Sequence, residues 1–373
     1  MGFNVQGRFR RLFMLLGIST LSLPGLAADS FATEGFDRLQ VPTLVSQRAT
    51  QSLLLDIDTA GERLVAVGEQ GVVLLSDDQG ERWRQGAVPV SVLLTAVHFV
   101  DAQQGWAVGH DGTVLHSADG GASWSLQLDG NELNTLRVKQ LEAELEALRL
   151  DAEAAPMVLE ALEYALEDAR FTQEEGPHMP LLDVWFADSQ HGFVLGAYGQ
   201  LLRTLDGGRS WQTLGHQLPN PDRFHLNSLL ATRSGDLYIA GEAGLLLRSR
   251  DAGRTWAALE SPYDGSFFAM AELDGLYLMG LRGNLFHSPD GEHWQALELD
   301  SSATLNNALA VGKTLLLLGQ GGLLQAGNRA GFAPLQQPRS RQSLSAAAVA
   351  GARLIVVGEG GIQRKDMPQE GAQ

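Results

Sequence analysis

Residues 66–83 read AVGEQGVVLLSDDQGERW, and residues 107–124 read AVGHDGTVLHSADGGASW. The shared element is a short apolar run ending in Gly, two further residues, a second Gly and another apolar run. It returns at 193–202 (FVLGAYGQLL), 238–247 (YIAGEAGLLL), 277–286 (YLMGLRGNLF), 316–325 (LLLGQGGLLQ) and 355–363 (IVVGEGGIQ). The seven leading glycines are Gly68, Gly109, Gly196, Gly241, Gly280, Gly319 and Gly358, spaced by 41, 87, 45, 39, 39 and 39 residues. A period near 40 with several short apolar runs per copy is the signature of a propeller. The spacing of 87 is one period plus an insertion.

One copy shows the plan of all. Residues 94–100 (LTAVHFV) read as a first strand, 106–109 (WAVG) as a second, 113–117 (TVLHS) as a third and 124–128 (WSLQL) as a fourth. Glycines between the second and third strands suit a tight hairpin, where positive φ is needed. The expectation is an all-β, seven-bladed β-propeller over residues 39–366, with a helical-hairpin insertion between blades two and three. Blade seven runs out after residue 366, so residues 39–47 (LQVPTLVSQ) are expected to supply its closing strand and remove an open sheet edge. Residues 367–373 read as a flexible tail.

A second motif marks the turn before the fourth strand: SDDQGERW (76–83), SADGGASW (117–124), TLDGGRSW (204–211), SRDAGRTW (249–256) and a shortened SPDGEHW (288–294). This Ser/Thr-x-Asp-x-Gly-x-x-Trp pattern is the Asp box of bacterial neuraminidase repeats. Its acids (Asp78, Asp119, Asp206, Asp251, Asp290) suit the capping of backbone N–H groups within their own turns. Its tryptophans (Trp83, Trp124, Trp211, Trp256, Trp294) suit burial between blades. In the sixth copy Phe332 stands where Trp is expected.

The non-repeating segment is 131–180. Leu133, Leu136, Leu141, Leu145 and Leu148, then Val158, Leu159, Leu162, Ala165, Leu166 and Ala169, follow helical spacing on either side of Pro156. Residues 131–176 hold 12 acids against 4 bases. Two readings stand: a solvated ornament, or a partner platform whose acids steer a basic protein. By topology the insert shares a face with the seven glycine turns, opposite the Asp boxes. Partner-binding candidates are therefore His110, Tyr198 and Arg282 on the turns, and Leu136, Leu145 and Leu162 on the hairpin.

The N-terminus reads as an export signal over residues 1–28. Arg8, Arg10 and Arg11 precede a short apolar run (12–23), Pro24 and small residues near Ala27 and Ala28. A membrane anchor is the alternative. The general secretory and twin-arginine routes both remain open, and a periplasmic location follows. The chain has no Cys, which excludes disulfides, thiolate metal sites and lipidation on a cysteine. Formal net charge is −17, which argues against nucleic acid or anionic lipid as partners. GQGGLL (319–324) is a hairpin in phase with six others and not a phosphate loop. His110 and His116 read as repeat positions, not metal ligands. No cofactor, metal or nucleotide is expected, and the propeller reads as monomeric.

The seven-fold period, the Asp boxes SADGGASW, TLDGGRSW and SRDAGRTW, and the export signal together resemble the photosystem II stability/assembly factor family of neuraminidase-repeat propellers. The resemblance covers residues 39–366 without the insert. It implies a non-enzymatic assembly or stability factor for a membrane-associated complex, on the lumenal side in a photosynthetic cell; a transporter is another possible partner. The acidic insert departs from a plain propeller. The competing class is a sialidase, another glycoside hydrolase or a carbohydrate-binding propeller. A sialidase needs a Tyr nucleophile paired with an acid, and an Arg cluster. The tyrosines are Tyr164, Tyr198, Tyr238, Tyr263 and Tyr277, and the first strands contain no Arg.

Overall fold

A computed structural model of the chain describes residues 37–151, 155–335 and 340–367. The export-signal segment 1–28 and residues 368–373 of the expected tail lie outside them. The described strands form seven antiparallel sheets arranged as consecutive meanders. The blades begin at Leu54, Leu94, Leu181, Leu226, Phe267, Leu305 and Leu344. Six sheets have four strands and the seventh has three. Second strands are buried along almost their whole length, because both faces touch neighbouring blades.

The glycine turns divide their labour. Gly280 is extended, and a Cβ there would sit 2.1 Å from the Ser266 carbonyl oxygen. Its partner Gly283 lies at φ +73°, after Arg282 at φ +58°. The leading glycine thus serves close approach to the first strand, and the second serves the left-handed turn.

Every first strand carries a bulge just after its start. The bulge turns side chains toward the next blade around the central channel. Thr95 Oγ1 donates to the Leu181 carbonyl (2.8 Å), Asn227 Nδ2 to Phe267 (2.7 Å) and Asn306 Nδ2 to Leu344 (2.9 Å). Asp56 accepts from Val97 N (2.9 Å) and Asp183 from Leu229 N (2.8 Å). The inner strands are stitched blade to blade by these bonds, while apolar clusters fill the wedges between sheets.

Residues 39–47 do not close blade seven. They form no strand, and instead run beside the link from blade one to blade two. Thr43 N donates to Val88 O (3.1 Å), Thr43 Oγ1 to Val90 O (2.8 Å) and Ser91 N to Arg38 O (2.8 Å). Arg38 also pairs with Asp111 at 2.9 Å. Blade seven meets blade one through side chains: Ala346, Ala348, Ile355 and Val357 pack with Leu54, Ile57, Leu64 and Leu74. Ile362 N donates to Thr50 O (3.0 Å), and Arg364 pairs with Glu81 (2.8 Å). The physical reason is that Arg38 and Thr43 find backbone partners on the link after blade one, whose Val88 and Val90 are buried beneath them.

The insertion forms α1 (Gly130–Leu150) and α2 (Pro156–Glu175). Asp129 caps α1 by accepting from Asn131 N and Glu132 N (2.8 and 3.0 Å). Pro156, read as a break, is the first residue of α2, where its missing N–H costs nothing. The root of the hairpin is pinned to the turn of blade two: Gly130 N donates to Asp111 O, and Gly112 N to Met179 O. Asn134 bridges the helices by donating to the Thr172 and Gly176 carbonyls.

Candidate functional site

The Asp-box carboxylates spend their oxygens within their own turns. Ser117 Oγ donates to Asp119 Oδ1 (2.9 Å), as does Ser123 N (2.9 Å), while Ser123 Oγ donates to Oδ2 (2.7 Å). Asp206 makes the same set with Thr204 and Ser210, and Asp251 with Ser249 and Thr255. At Asp78 the second oxygen takes Arg82 Nε, and at Asp290 it takes His293 Nδ1, both at 2.8 Å. Backbone N–H groups and Arg82 hold the Asp78 carboxyl down at about 2, and Thr255 does the same for Asp251. Trp124 meets Phe99 edge-on, Trp211 meets Phe186, and Trp256 meets Phe193. Trp83 packs in the wedge between blades seven and one, and Trp294 with Tyr238 and Phe286. Phe332, in the place of Trp, lies edge-on to Tyr277.

Tyr238, Tyr263 and Tyr277 are poorly placed for a sialidase. Tyr238 and Tyr277 are buried. Tyr277 donates to Asp274 at 2.7 Å, and burial pushes its hydroxyl well above the usual range, away from a phenolate nucleophile. Tyr263 stacks on Phe286. In the central channel, Asp56 and Asp183 give their oxygens to backbone N–H groups of their own and the next blade.

The hairpin makes an apolar cleft beside the propeller's own turns. Its walls are α2, the Tyr198 turn of blade three and the loop 214–223 that leads to blade four; it encloses about 660 Å³. On the α2 side Met157 (79% exposed) and Tyr164 (72% exposed) point outward. Facing them are Tyr198, half-exposed and edge-on to His225, and Leu218, Pro219 and Pro221.

At the floor stands an ion triad. Asp168 of α2 pairs with Arg137 of α1 (2.9 Å) and with Arg223 of the loop. Arg223 sits at φ +55°, a left-handed conformation that a non-glycine residue holds only when its surroundings impose it. Asn220 imposes it: its Nδ2 donates to Phe224 O and its Oδ1 accepts from Phe224 N. Burial and the neighbouring Arg223 guanidinium push the Arg137 guanidinium below its ordinary range. Gln200 also lines the cleft, and its Nε2 is buried without a hydrogen-bond partner among the described residues.

Of the partner-binding candidates named from sequence, the structure brings Tyr198 alone into this cleft. His110 is half-buried in the turn of blade two, beside the Arg38–Asp111 pair, and burial lowers its pKa. Arg282 is exposed on the turn of blade five. Leu145 and Leu162 are not spare contact surface: they are 5% and 6% exposed, packed with Leu141, Leu166 and Ala169 inside the hairpin. Leu136 is half-buried against the wedge of blades two and three. Each helix has one apolar stripe, and the two stripes satisfy each other. Sequence reasoning missed Arg137, Asp168, Gln200 and Arg223. The 45-residue spacing between Gly196 and Gly241 was the available signal, since the excess over 39 residues is spent on the loop that carries Arg223.

The family described as photosynthesis system II assembly factor YCF48 matches this chain over residues 75–146 and 173–263, leaving out most of the hairpin. A photosystem II assembly lipoprotein Ycf48 from Prochlorococcus marinus is 33% identical over 63 residues; this match spans 17% of each chain. In structure, YCF48 bound to a D1 peptide overlays 88% of this chain and 100% of its own, with a TM-score of 0.61 at 16% identity. YCF48 from Cyanidioschyzon merolae gives the same TM-score and identity, over 88% of this chain and 99% of its own. A catalytically inactive virginiamycin B lyase from Staphylococcus aureus overlays with a TM-score of 0.63 at 8% identity, covering 87% and 98% of the two chains. At such identities the overlays show the shared propeller fold, and the lyase shows that this fold also carries enzymes. In sequence, the repeats of blades one to four are similar to those of the photosynthesis system II assembly factor family.

Proposed function

We propose that this chain is an exported, non-enzymatic propeller that binds a protein partner and serves as an assembly or stability factor for a membrane-associated complex. In a photosynthetic host that complex is of the photosystem II kind, and the protein works on the lumenal or periplasmic side. The observation that carries the reading is the cleft between the hairpin and the blade-three turn. It is apolar, it is of a size that buries a side chain or a short segment, and the non-repeating hairpin and the loop 214–223 build it against one repeat turn. The assembly-factor repeats and the fold shared with a propeller solved with a D1 peptide support the same reading.

The test uses Met157→Ala with Tyr164→Ala, two exposed residues whose loss leaves the hairpin core intact. Wild-type and variant proteins are offered to detergent-solubilised membranes of the native host, and captured proteins are compared by mass spectrometry. A specific membrane-complex subunit held by wild type should drop at least tenfold in the variant. Equal capture by a variant with wild-type circular dichroism sinks the reading.

A further inference from the structure

The floor of the cleft holds more donors than acceptors. Two guanidinium groups, Arg137 and Arg223, share the single carboxylate of Asp168. Arg137 is largely withdrawn from solvent and Arg223 is half-buried, so the second charge is not fully answered by water. Gln200 adds a buried amide N–H with no partner among the described residues. A donor left unpaired in a buried wall costs stability unless something arrives to accept from it. Glu160, the other acid at the cleft, stands exposed on the rim. Arg223 is held for this place in a left-handed backbone conformation fixed by Asn220.

We infer that the cleft between α2 and the blade-three turn is a recognition site for a short peptide segment in which a carboxylate lies next to a large apolar side chain. The apolar side chain enters between Tyr164, Met157 and Tyr198. The carboxylate accepts from Arg137 and Arg223 in the charge-assisted, forked geometry that guanidinium favours. A backbone carbonyl of the same segment accepts from Gln200 Nε2. This inference rests on the protein-partner reading above and names the chemistry of what is bound. It runs against the overall charge of the chain, which is −17. Attraction is therefore confined to the floor, within a Debye length of about 8 Å at physiological salt.

The experiment uses the full exported chain and a fluorescein-labelled hexapeptide library, randomised at its last three positions and made both with a free C-terminal carboxylate and amidated. Binding is read by fluorescence anisotropy. Bound sequences should pair Leu, Phe or Tyr with a terminal, Asp or Glu carboxylate. Arg137→Gln and Arg223→Gln should each weaken them at least tenfold. Asp168→Asn removes the competing internal acceptor and should tighten them several-fold. Gln200→Leu provides a readout free of folding loss: it deletes a donor that has no partner, so its melting temperature should equal or exceed wild type while peptide binding falls.

Binding of basic peptides in preference, equal binding of carboxylate-free peptides, absence of any binder, or unchanged affinity in both arginine variants overturns the inference. Membrane-partner capture that needs Met157 and Tyr164 but ignores both arginine substitutions also overturns it, and leaves the protein-partner reading standing.

Discussion

Gln140 of α1 stands in for a β-strand along the outer edge of blade three, and Thr213 is its partner. The amide oxygen of Gln140 accepts from Thr213 N at 2.8 Å and from Thr213 Oγ1 at 2.9 Å. Its nitrogen donates to the Trp211 carbonyl at 2.9 Å. One side chain thus offers the donor and acceptor of a peptide group to a fourth strand only two residues long. Glu144 extends the contact by pairing with His216 at 2.9 Å. The hairpin is therefore a cover for a sheet edge as well as a wall of the cleft.

Replacing Gln140 with Leu should strand the Thr213 N–H at a cost of about 1–2 kcal/mol. Hydrogen exchange at Thr213 should speed up markedly, while blades five to seven keep wild-type protection. Unaltered exchange at Thr213 in this variant would show that the hairpin is held to blade three by other contacts.

The Asp boxes call for a local effect. Asp119→Ala removes an acceptor that serves Ser123 N much as an N-cap serves a helix. The expected loss is about 1–2 kcal/mol, read from a denaturant titration. Partner capture by the refolded variant should match wild type. Lost capture at unchanged stability would move the box from scaffold to binding surface.

The propeller was legible because its information is written seven times. Gly68 and Gly109 announce the same turn, and drift in one copy, such as Phe332 for Trp, is corrected by the others. The cleft was not legible because each of its floor residues occurs once. Arg137, Asp168 and Arg223 come from two helices and a loop, and a period search discards all three as noise. Leu145 and Leu162 show a different limit. Helical spacing reports that a face is apolar but not what covers it, and here each helix covers the other. The closing strand failed for a third reason. Blade seven has three described strands, but Thr43 and Arg38 bond to the link after blade one and to Asp111.

The segment at residues 37–47 should therefore matter at the junction of blades one and two. A chain with these residues removed loses the Arg38–Asp111 pair and the bonds to Val88, Val90 and Ser91. Hydrogen exchange should rise over residues 85–92 and at the blade-two turn near Asp111. Increased exchange confined to residues 363–366 of blade seven would instead restore ring closure as the role of this segment.

The last expectation concerns pH, and the channel and the Asp boxes pull in opposite directions. Desolvation in the channel raises Asp56 to about 7 and Asp183 to about 6, from an ordinary value of 3.8. Asp58, next to Asp56, adds repulsion, and His98 faces Asp58 at 3.7 Å. A carboxyl whose folded pKa lies above its unfolded one binds its proton more tightly when folded. Its contribution is fully present below about pH 4 and is lost as pH rises through 6 and 7. Asp78 and Asp251, held at about 2, act the other way: their contribution is present above about pH 4 and is lost as pH falls toward 2. Thermal stability should accordingly peak at about pH 4, falling as pH rises toward 7 and as pH falls toward 2. Asp56→Asn keeps an acceptor for Val97 N but cannot ionise, so it should flatten the limb between about pH 4 and 7, and the double variant with Asp183→Asn should flatten it further. Melting temperatures across that range decide the matter, because a wild-type slope that survives both substitutions places the titrating groups outside the channel.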